Sequence, residues 1–410
     1  MNSRRIALKI FEEGISHSFI SKDLWKLTDP LSKADRDFVR KIVYGTIRFL
    51  FAIDREVDSL LKEPRKTPKN VRNILRLGVY EIFETHVPVY ATVNEYTQIA
   101  PQKLKGLVNA VLREISKSAD KTKLSPSLPN WLYNILEKDL GKDMNIFLDK
   151  SKGHELSLRA VKMERKELLN ELFSVVDCYP MNYSPWGVIC KKGANLENDS
   201  FRRGNFTFQD ESSQLVGISI SPKPGEKILD ACGGVGTKTS HLVQIERKAN
   251  VIYNDVNKLK MSAARSNFQR LGLFPEKMMS FDVLKYEAGS GDQFDKVLVD
   301  APCTALGTLG KHPDLLLRLN QSDVEEKAKI QLKMLEKLWN AIRPRGELVY
   351  SVCTVTKAET DDVIFKFLSQ HKDAVAIDPF DGEFPFDFNG LGVQLLKHME
   401  GFYISKIKRL

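Results

Sequence analysis

Two cysteines stand where strands of the second half of the chain should end. Cys303 follows Asp300 at the end of KVLVDAPC, and Cys353 follows Ser351 at the end of ELVYSVC. A thiolate is a strong nucleophile once nearby positive charge or a helix start lowers its pKa. Either cysteine alone reads more simply as a small buried hydrophobe, but two at neighbouring strand ends would converge on one crevice. A third strand, KILDA, runs into Cys232, Gly233, Gly234, Val235, Gly236, Thr237 and Lys238. Glycines at Gly233, Gly234 and Gly236 can take positive φ and let backbone N–H groups approach a nucleotide-like ligand closely. Asp255, about 20 positions further on at the end of VIYND, is placed to bind ribose hydroxyls. Asp282, expected to end the strand MMSFDV, could meet an adenine edge. Taken singly, each of these aspartates reads more simply as a helix N-cap.

Such residues need a scaffold that brings strand ends together. From residue 206 to 410 short β-branched runs alternate with helical patterns, which predicts an α/β domain with a doubly wound parallel sheet. Ligands of these sheets sit beyond the carboxyl ends of the strands, where Asp230, Asp255, Asp282 and Asp300 would gather. Residues 1–120 read as an all-α bundle: Phe38, Ile42, Thr46, Phe49 and Ile53 share one helical face, and Ile74, Leu77, Val79 and Ile82 another. Residues 121–205 open with the proline-punctuated DKTKLSPSLPN, a linker pattern. A small α/β module follows, with strands at LSLRAV and GVIC and a helix at ERKELLNELF.

Charge is unevenly placed. Residues 1–200 carry 33 Lys+Arg against 26 Asp+Glu, and the remainder 29 against 27. Lys62, Arg65, Lys66, Lys69, Arg72 and Arg76 cluster around two prolines, which suits either nucleic-acid contact or an exposed basic loop. The five cysteines are odd in number and show no CxxC or Cys/His spacing, which argues against a disulfide framework or a metal site. No stretch approaches the roughly 18 apolar residues of a membrane span, and the opening MNSRRIALKIFEEGI has no apolar core. A soluble protein of a reducing cytoplasm is expected.

Taken in order, RDFVRKIVYGTIRFL, ATVNEY, KGLVNAVLR, GNFTFQDESSQLV, LDACGGVGTKTSHL, DAPCTALGTLGKHPD, YSVCTVTKAET and EGFYISKI resemble the RsmB/Sun-type bacterial ribosomal RNA (cytosine-C5) methyltransferases. The resemblance covers nearly the whole chain. It implies an N-terminal NusB-like RNA-binding domain (1–120), a linker with a small α/β module (121–205) and a Rossmann-like methyltransferase domain (206–410). It also implies S-adenosyl-L-methionine as methyl donor, held by Cys232–Lys238, with Asp255 at the ribose, Asp282 at the adenine and Asp300 between cofactor and target base. Cys353 would be the nucleophile and Cys303 the cysteine that assists release. The cationic sulfonium, with Lys238 and Lys311, would supply the field that lowers a thiol pKa. Small-subunit ribosomal RNA would be the partner, with no membrane, no metal and no obligate protein partner, the chain acting as a monomer. Against the family pattern LDxCAAPGGKT, this loop has Gly233, Gly234, Val235 and Thr237 where Ala, Ala, Pro and Gly are usual, and Glu359-Thr360 stands for Glu-Asn. The competing readings are an RNA-binding factor that has lost catalysis, and a methyltransferase acting on small molecules or proteins.

Overall fold

The computed structural model describes residues 2–17, 20, 22–117, 124, 126–153, 155–191, 196–289 and 293–410. The expected boundary between residues 120 and 121, with most of the DKTKLS stretch around it, lies outside the described residues. The chain forms two compact units. One takes in the described residues up to Lys138 together with Met144–Gly153 and Leu309–Asn320; the other takes in Asp139–Asp143, the described residues of 154–308, and Gln321–Leu410. Among the described residues no helix is long and apolar enough to cross a membrane.

The first unit is helical. Ser3–His17, Lys33–Arg48, Leu50–Leu60, Lys69–Glu84, Val89–Ile99 and Lys105–Ser116 bury Ile42, Ile53, Leu77 and Val111 in one apolar core. The face expected to run from Phe38 to Ile53 is divided: Phe49, at φ −105° and ψ 13°, leaves helical geometry and separates two helices. Gly45 lets these helices approach Lys69–Glu84, since a Cβ there would lie 1.9 Å from the Tyr80 ring. Glu81, wholly buried, accepts hydrogen bonds from Arg4 Nε (3.0 Å), Thr92 Oγ1 (3.0 Å) and Tyr96 Oη (3.0 Å), so one carboxylate joins three helices.

Part of the basic cluster is internal to this unit. Arg76 grips Asp54 with two 2.7 Å bonds, Arg72 pairs with Asp58, and Lys66 pairs with Glu63. Lys62, Arg65 and Lys69 are exposed. The segment Leu309–Asn320 is held here by Arg48, whose guanidinium donates to the carbonyls of Ser151 (3.0 Å) and Gly310 (2.8 Å).

The second unit carries two sheets. The smaller is antiparallel in the order β2-β3-β1-β4, from β1 (Leu156–Ala160), β2 (Cys178–Pro180), β3 (Gly187–Cys190) and β4 (Phe206–Phe208). Contrary to the expectation of unpaired thiols, Cys178 and Cys190 are joined by a disulfide. They are 12 residues apart, but the β2–β3 register sets them directly opposite, a proximity that sequence spacing does not reveal.

The larger sheet comprises β5 (Lys227–Asp230), β6 (Asn250–Asn254), β7 (Lys277–Met279), β8 (Phe294–Asp300), β9 (Ile342–Val352), β10 (Ala374–Ile377), β11 (Val393–Gln394) and β12 (Tyr403–Arg409). Its order is β10-β12-β9-β8-β5-β6-β7, with β11 beside β12. Strands β5 to β9 pair in parallel, as expected of a doubly wound sheet; β12 adds an antiparallel edge that the pattern of alternating runs did not announce. The strand at MMSFDV is shorter than expected and ends at Met279, three residues before Asp282.

Cations fasten the small sheet to the large one. Arg159, on β1 and fully buried, donates to Gln244 Oε1 and Ser240 Oγ at 2.9 Å, both on the helix Thr237–Ile245. Burial without a carboxylate partner pulls this guanidinium down to about 9. Arg270 stacks on Phe201 at 3.9 Å and donates to the carbonyls of Phe201 and Phe206.

Asp230, the last residue of β5, is fully buried and accepts a 2.7 Å bond from Thr239 Oγ1. Burial pushes its carboxyl up to about 7. The folded value lies above the unfolded one of about 3.9, so the native state holds this proton more tightly. The resulting stability is complete below about pH 4 and is lost as pH rises through about 7. Thermal melting of Asp230→Asn beside the wild type should therefore show the variant gaining relative stability from about pH 5 to about pH 8. A difference in melting temperature that stays constant over that range would refute the raised carboxyl.

Candidate functional site

The strand order of the large sheet reverses between β5 and β8, since the chain builds outward from β5 to β6 and β7 on one side and to β8 and β9 on the other. The carboxyl ends flanking such a reversal diverge and leave a crevice. A cavity of roughly 410 Å³ lies there, lined by Cys232, Gly233, Gly234, Val235, Thr237, Lys238 and Asp300. All seven were singled out from sequence. Five more had no site role assigned: Phe208 at the end of β4, Gln209 and Asp210 in the turn after it, Ser213 in the helix Glu211–Ile220, and Lys260. Gln209 is 5% exposed; its amide nitrogen bonds Ser213, while its Oε1, buried, has no donor among the described residues. The QDESS run is polar without a distinctive spacing, so no chemical signal marked it.

The glycine loop is shaped by the strand next to it. Gly234 and Gly236 have φ of 56° and 81°. Asp255 accepts the Gly234 N–H on Oδ2 at 2.9 Å, and Tyr253 donates its hydroxyl to the Gly234 carbonyl at 2.7 Å. A Cβ on Gly233 would lie 2.4 Å from the Tyr253 ring, so glycine replaces the usual alanine because the tyrosine fills that space. At Gly234 a Cβ would meet nothing within 4 Å, which leaves the face open to a ligand.

The remaining aspartates have distinct settings. Asp255 also accepts the Asn257 N–H on Oδ1 at 2.7 Å, so both its oxygens already hold backbone amides, with lone pairs left for further donors. Asp282 caps the turn Val283–Lys285, accepting the Leu284 N–H at 3.0 Å. Asp255, Asp282, Gly236, Cys303 and Cys353 do not line the 410 Å³ cavity. Asp300 does, and it is oriented on both oxygens: Lys238 Nζ donates to Oδ2 and Ser351 Oγ to Oδ1, each at 2.8 Å. Burial alone would lower the Lys238 ammonium, but the Asp300 carboxylate and its hydrogen bond raise it above the ordinary lysine value.

The two cysteines meet. Cys303 Sγ and Cys353 Sγ are 3.4 Å apart, at the ends of adjacent parallel strands β8 and β9. Cys303 is pushed well above the ordinary thiol value, by its contact with Cys353, by burial, and by the charges of Cys353 and Glu359. Burial, with Asp230, Asp300 and Asp255 nearby, likewise pushes the Cys232 thiol up.

Comparison with known proteins bears on what such a crevice serves. The family model for 16S rRNA methyltransferase RsmB/F matches residues 217–408, and that of the NusB family matches 1–117. The chain is 30% identical to a probable ribosomal RNA small subunit methyltransferase B of Bacillus subtilis, covering 84% of this chain and 83% of that protein. It is 28% identical to ribosomal RNA small subunit methyltransferase B of Yersinia enterocolitica over 99% and 98% of the two chains. Among solved structures, PH0851 is similar over 100% of this chain and 99% of its own, with a TM-score of 0.78 and 22% identity, which speaks for a shared fold. NSun6 from Pyrococcus horikoshii, solved with SFG, covers 69% of this chain and 98% of its own at a TM-score of 0.61 and 20% identity. The helical unit, the parallel sheet with its crevice and these matches together place the chain in the RsmB/F family of S-adenosylmethionine-dependent 16S rRNA methyltransferases.

Proposed function

We propose that this protein methylates C5 of a cytosine in small-subunit ribosomal RNA, in the cytoplasm, through a covalent bond between Cys353 and C6 of the base. The observation that carries the reading is the pair of thiols 3.4 Å apart, beside a carboxylate whose two oxygens are already oriented. A methyltransferase of small molecules or proteins needs neither thiol, and a binding factor needs no such pair.

The crevice suits the methyl donor in size and in chemistry. Its volume falls within the range of small-molecule sites. The loop Cys232–Lys238 presents an open backbone face at Gly234, and Asp255, which braces that loop, has lone pairs left for ribose hydroxyls. Asp282 would stand toward the adenine. S-adenosylmethionine supplies an electrophilic methyl group on a sulfonium. Every other step falls to the chain's own groups and the base.

Cytosine C5 is a weak nucleophile. The Cys353 thiolate adds to C6, forming a sulfur–carbon bond and moving electron density onto C5, which then takes the methyl group. Asp300, fixed between Lys238 and Ser351, accepts from the cytosine amino group and so orients the base for attack. The C5 proton must next pass to a base. The carbon–sulfur bond then breaks, the C5–C6 double bond reforms, and the electron pair returns to Cys353 sulfur. Cys303, whose sulfur lies 3.4 Å from that of Cys353, is placed to assist this release. An unpaired or extruded cytosine is required, consistent with an RNA loop held by a second, basic unit. The division into residues 1–120, 121–205 and 206–410 assigns RNA holding to the first and chemistry to the last.

Three outcomes follow. Cys353→Ala should abolish turnover while RNA and cofactor still bind, whereas Cys303→Ala should accumulate a protein–RNA adduct that survives a denaturing gel; the adduct appearing with Cys353→Ala instead would reverse the assignment. Asp255→Ala releases the glycine loop as well as a ribose contact, so cofactor affinity by calorimetry should fall by roughly 1.5–3 kcal/mol for each charge-assisted bond lost. Neutralising Arg65, Lys66 and Lys69, three exposed members of the basic cluster, should reduce the salt dependence of RNA binding by a slope of about 2, at about 0.7 per phosphate contact. An unchanged slope in filter binding would remove that loop from the RNA surface.

A further inference from the structure

We infer that Glu359 is a positioning residue for the cysteine pair: its buried carboxylate ties the turn after β8 to the turn after β9 and so holds Cys303 and Cys353 in contact. The inference rests on the reading of the two thiols proposed above.

Glu359 is fully buried at the end of the short turn Lys357–Glu359. Its Oε1 accepts the Thr304 backbone N–H at 2.9 Å and Gln331 Nε2 at 3.1 Å. Its Oε2 accepts the hydroxyls of Thr304 (2.5 Å), Thr356 (3.0 Å) and Thr354 (3.3 Å). Thr304 directly follows Cys303 and Thr354 directly follows Cys353, and their hydroxyls meet each other at 2.9 Å. The same Gln331 amide donates to the Pro302 carbonyl at 3.1 Å, so the residues on either side of Cys303 are both tied to this group. The Tyr350 hydroxyl, from β9, donates to the Glu359 carbonyl at 2.7 Å.

All these donors are neutral. A buried carboxylate with no cationic partner is costly, and packing alone would be served as well by an apolar side chain of the same size. What a carboxylate adds is four acceptor sites in a plane, enough to collect donors from two separate turns at once. The thiols lie one residue upstream of those donors on each turn. Loss of the carboxylate leaves the Thr304 N–H buried without an acceptor and frees the turns to move independently. The negative charge acts in the same place, among the causes that keep the Cys303 thiol above its ordinary value.

Proximity of the thiols can be read without methyl transfer. Oxidised glutathione closes a Cys303–Cys353 disulfide: the two thiols give up their hydrogens, a bond forms between the sulfurs, and the oxidant leaves as two molecules of reduced glutathione. Peptide mass mapping gives the rate for this pair alone. Glu359→Ala is expected to slow closure at least about tenfold and to lower kcat about 10- to 100-fold, with KM for the methyl donor within about twofold. Glu359→Gln keeps the size and an acceptor for the Thr304 N–H, and should restore most of the closure rate. Thr354→Val, which deletes one bridging hydroxyl, should slow closure in the same direction and replaces the alanine variant if melting shows that variant unfolded. Unchanged closure in Glu359→Ala, or in Thr354→Val where the former does not fold, overturns the proposal. Slowed closure in a protein that never methylates cytosine would sink the functional reading while leaving the positioning role intact.

Discussion

The parallel pairing of β8 with β9 is the constraint on which the site depends. In that register Asp300 lies opposite Ser351, so the carboxylate and the hydroxyl that orients it come from paired positions. Cys303 is three residues beyond the one and Cys353 two beyond the other, and both thiols therefore emerge from the same edge of the sheet. A slip of one residue would turn every side chain of one strand to the opposite face. Both faces of β8 are buried, so its register is set by the fit of Val297, Val299, Leu348 and Tyr350 on one side and of Leu298 and Val349 on the other.

Around this pairing each carboxylate at the strand ends is held by its own partners. Asp230 accepts the Thr239 hydroxyl and is pushed up by burial, Asp255 accepts two backbone amides, and Asp300 takes Lys238. Each arrangement fixes a backbone segment as a by-product. The glycine loop takes its shape from Asp255 and Tyr253, and the helix Thr237–Ile245 is braced from outside by Arg159. Cys303 moves up because it lies against Cys353, is buried, and faces the charges of Cys353 and Glu359.

Much of this was legible in the sequence because it is periodic or local. The alternation of β-branched runs with helices, and the residues at the ends of those runs, are properties of neighbours in the chain; Asp300, Cys303 and Cys353 were placed correctly for that reason. What escaped depends on contacts between distant residues. The disulfide between Cys178 and Cys190 is a consequence of hairpin register. Gln209 and Ser213 reach the cavity because the small sheet is docked by buried cations, a docking with no signature in spacing. The Asp282 strand end was misread because MMSFDV is apolar beyond the point where its backbone still finds a partner. Glu359 was visible only as one half of a motif, since nothing in a linear reading says that five donors converge on it.

The path of the chain beyond Cys303 has a consequence for how the molecule can be divided. After Thr308 the backbone leaves the second unit, contributes Leu309–Asn320 to the helical one, and returns at Gln321. Leu317 packs against the helical core, and Arg48 grips the Gly310 carbonyl, so the helical unit is completed by a stretch from the middle of the sheet-bearing half. A cut after residue 138 therefore does not separate two self-sufficient pieces. The N-terminal fragment would lack part of its own wall, and the C-terminal fragment would carry an apolar loop, next in sequence to Cys303, stripped of the residues that cover it. The two units are interleaved along the chain, and those twelve residues must be kept for the helical unit to be whole.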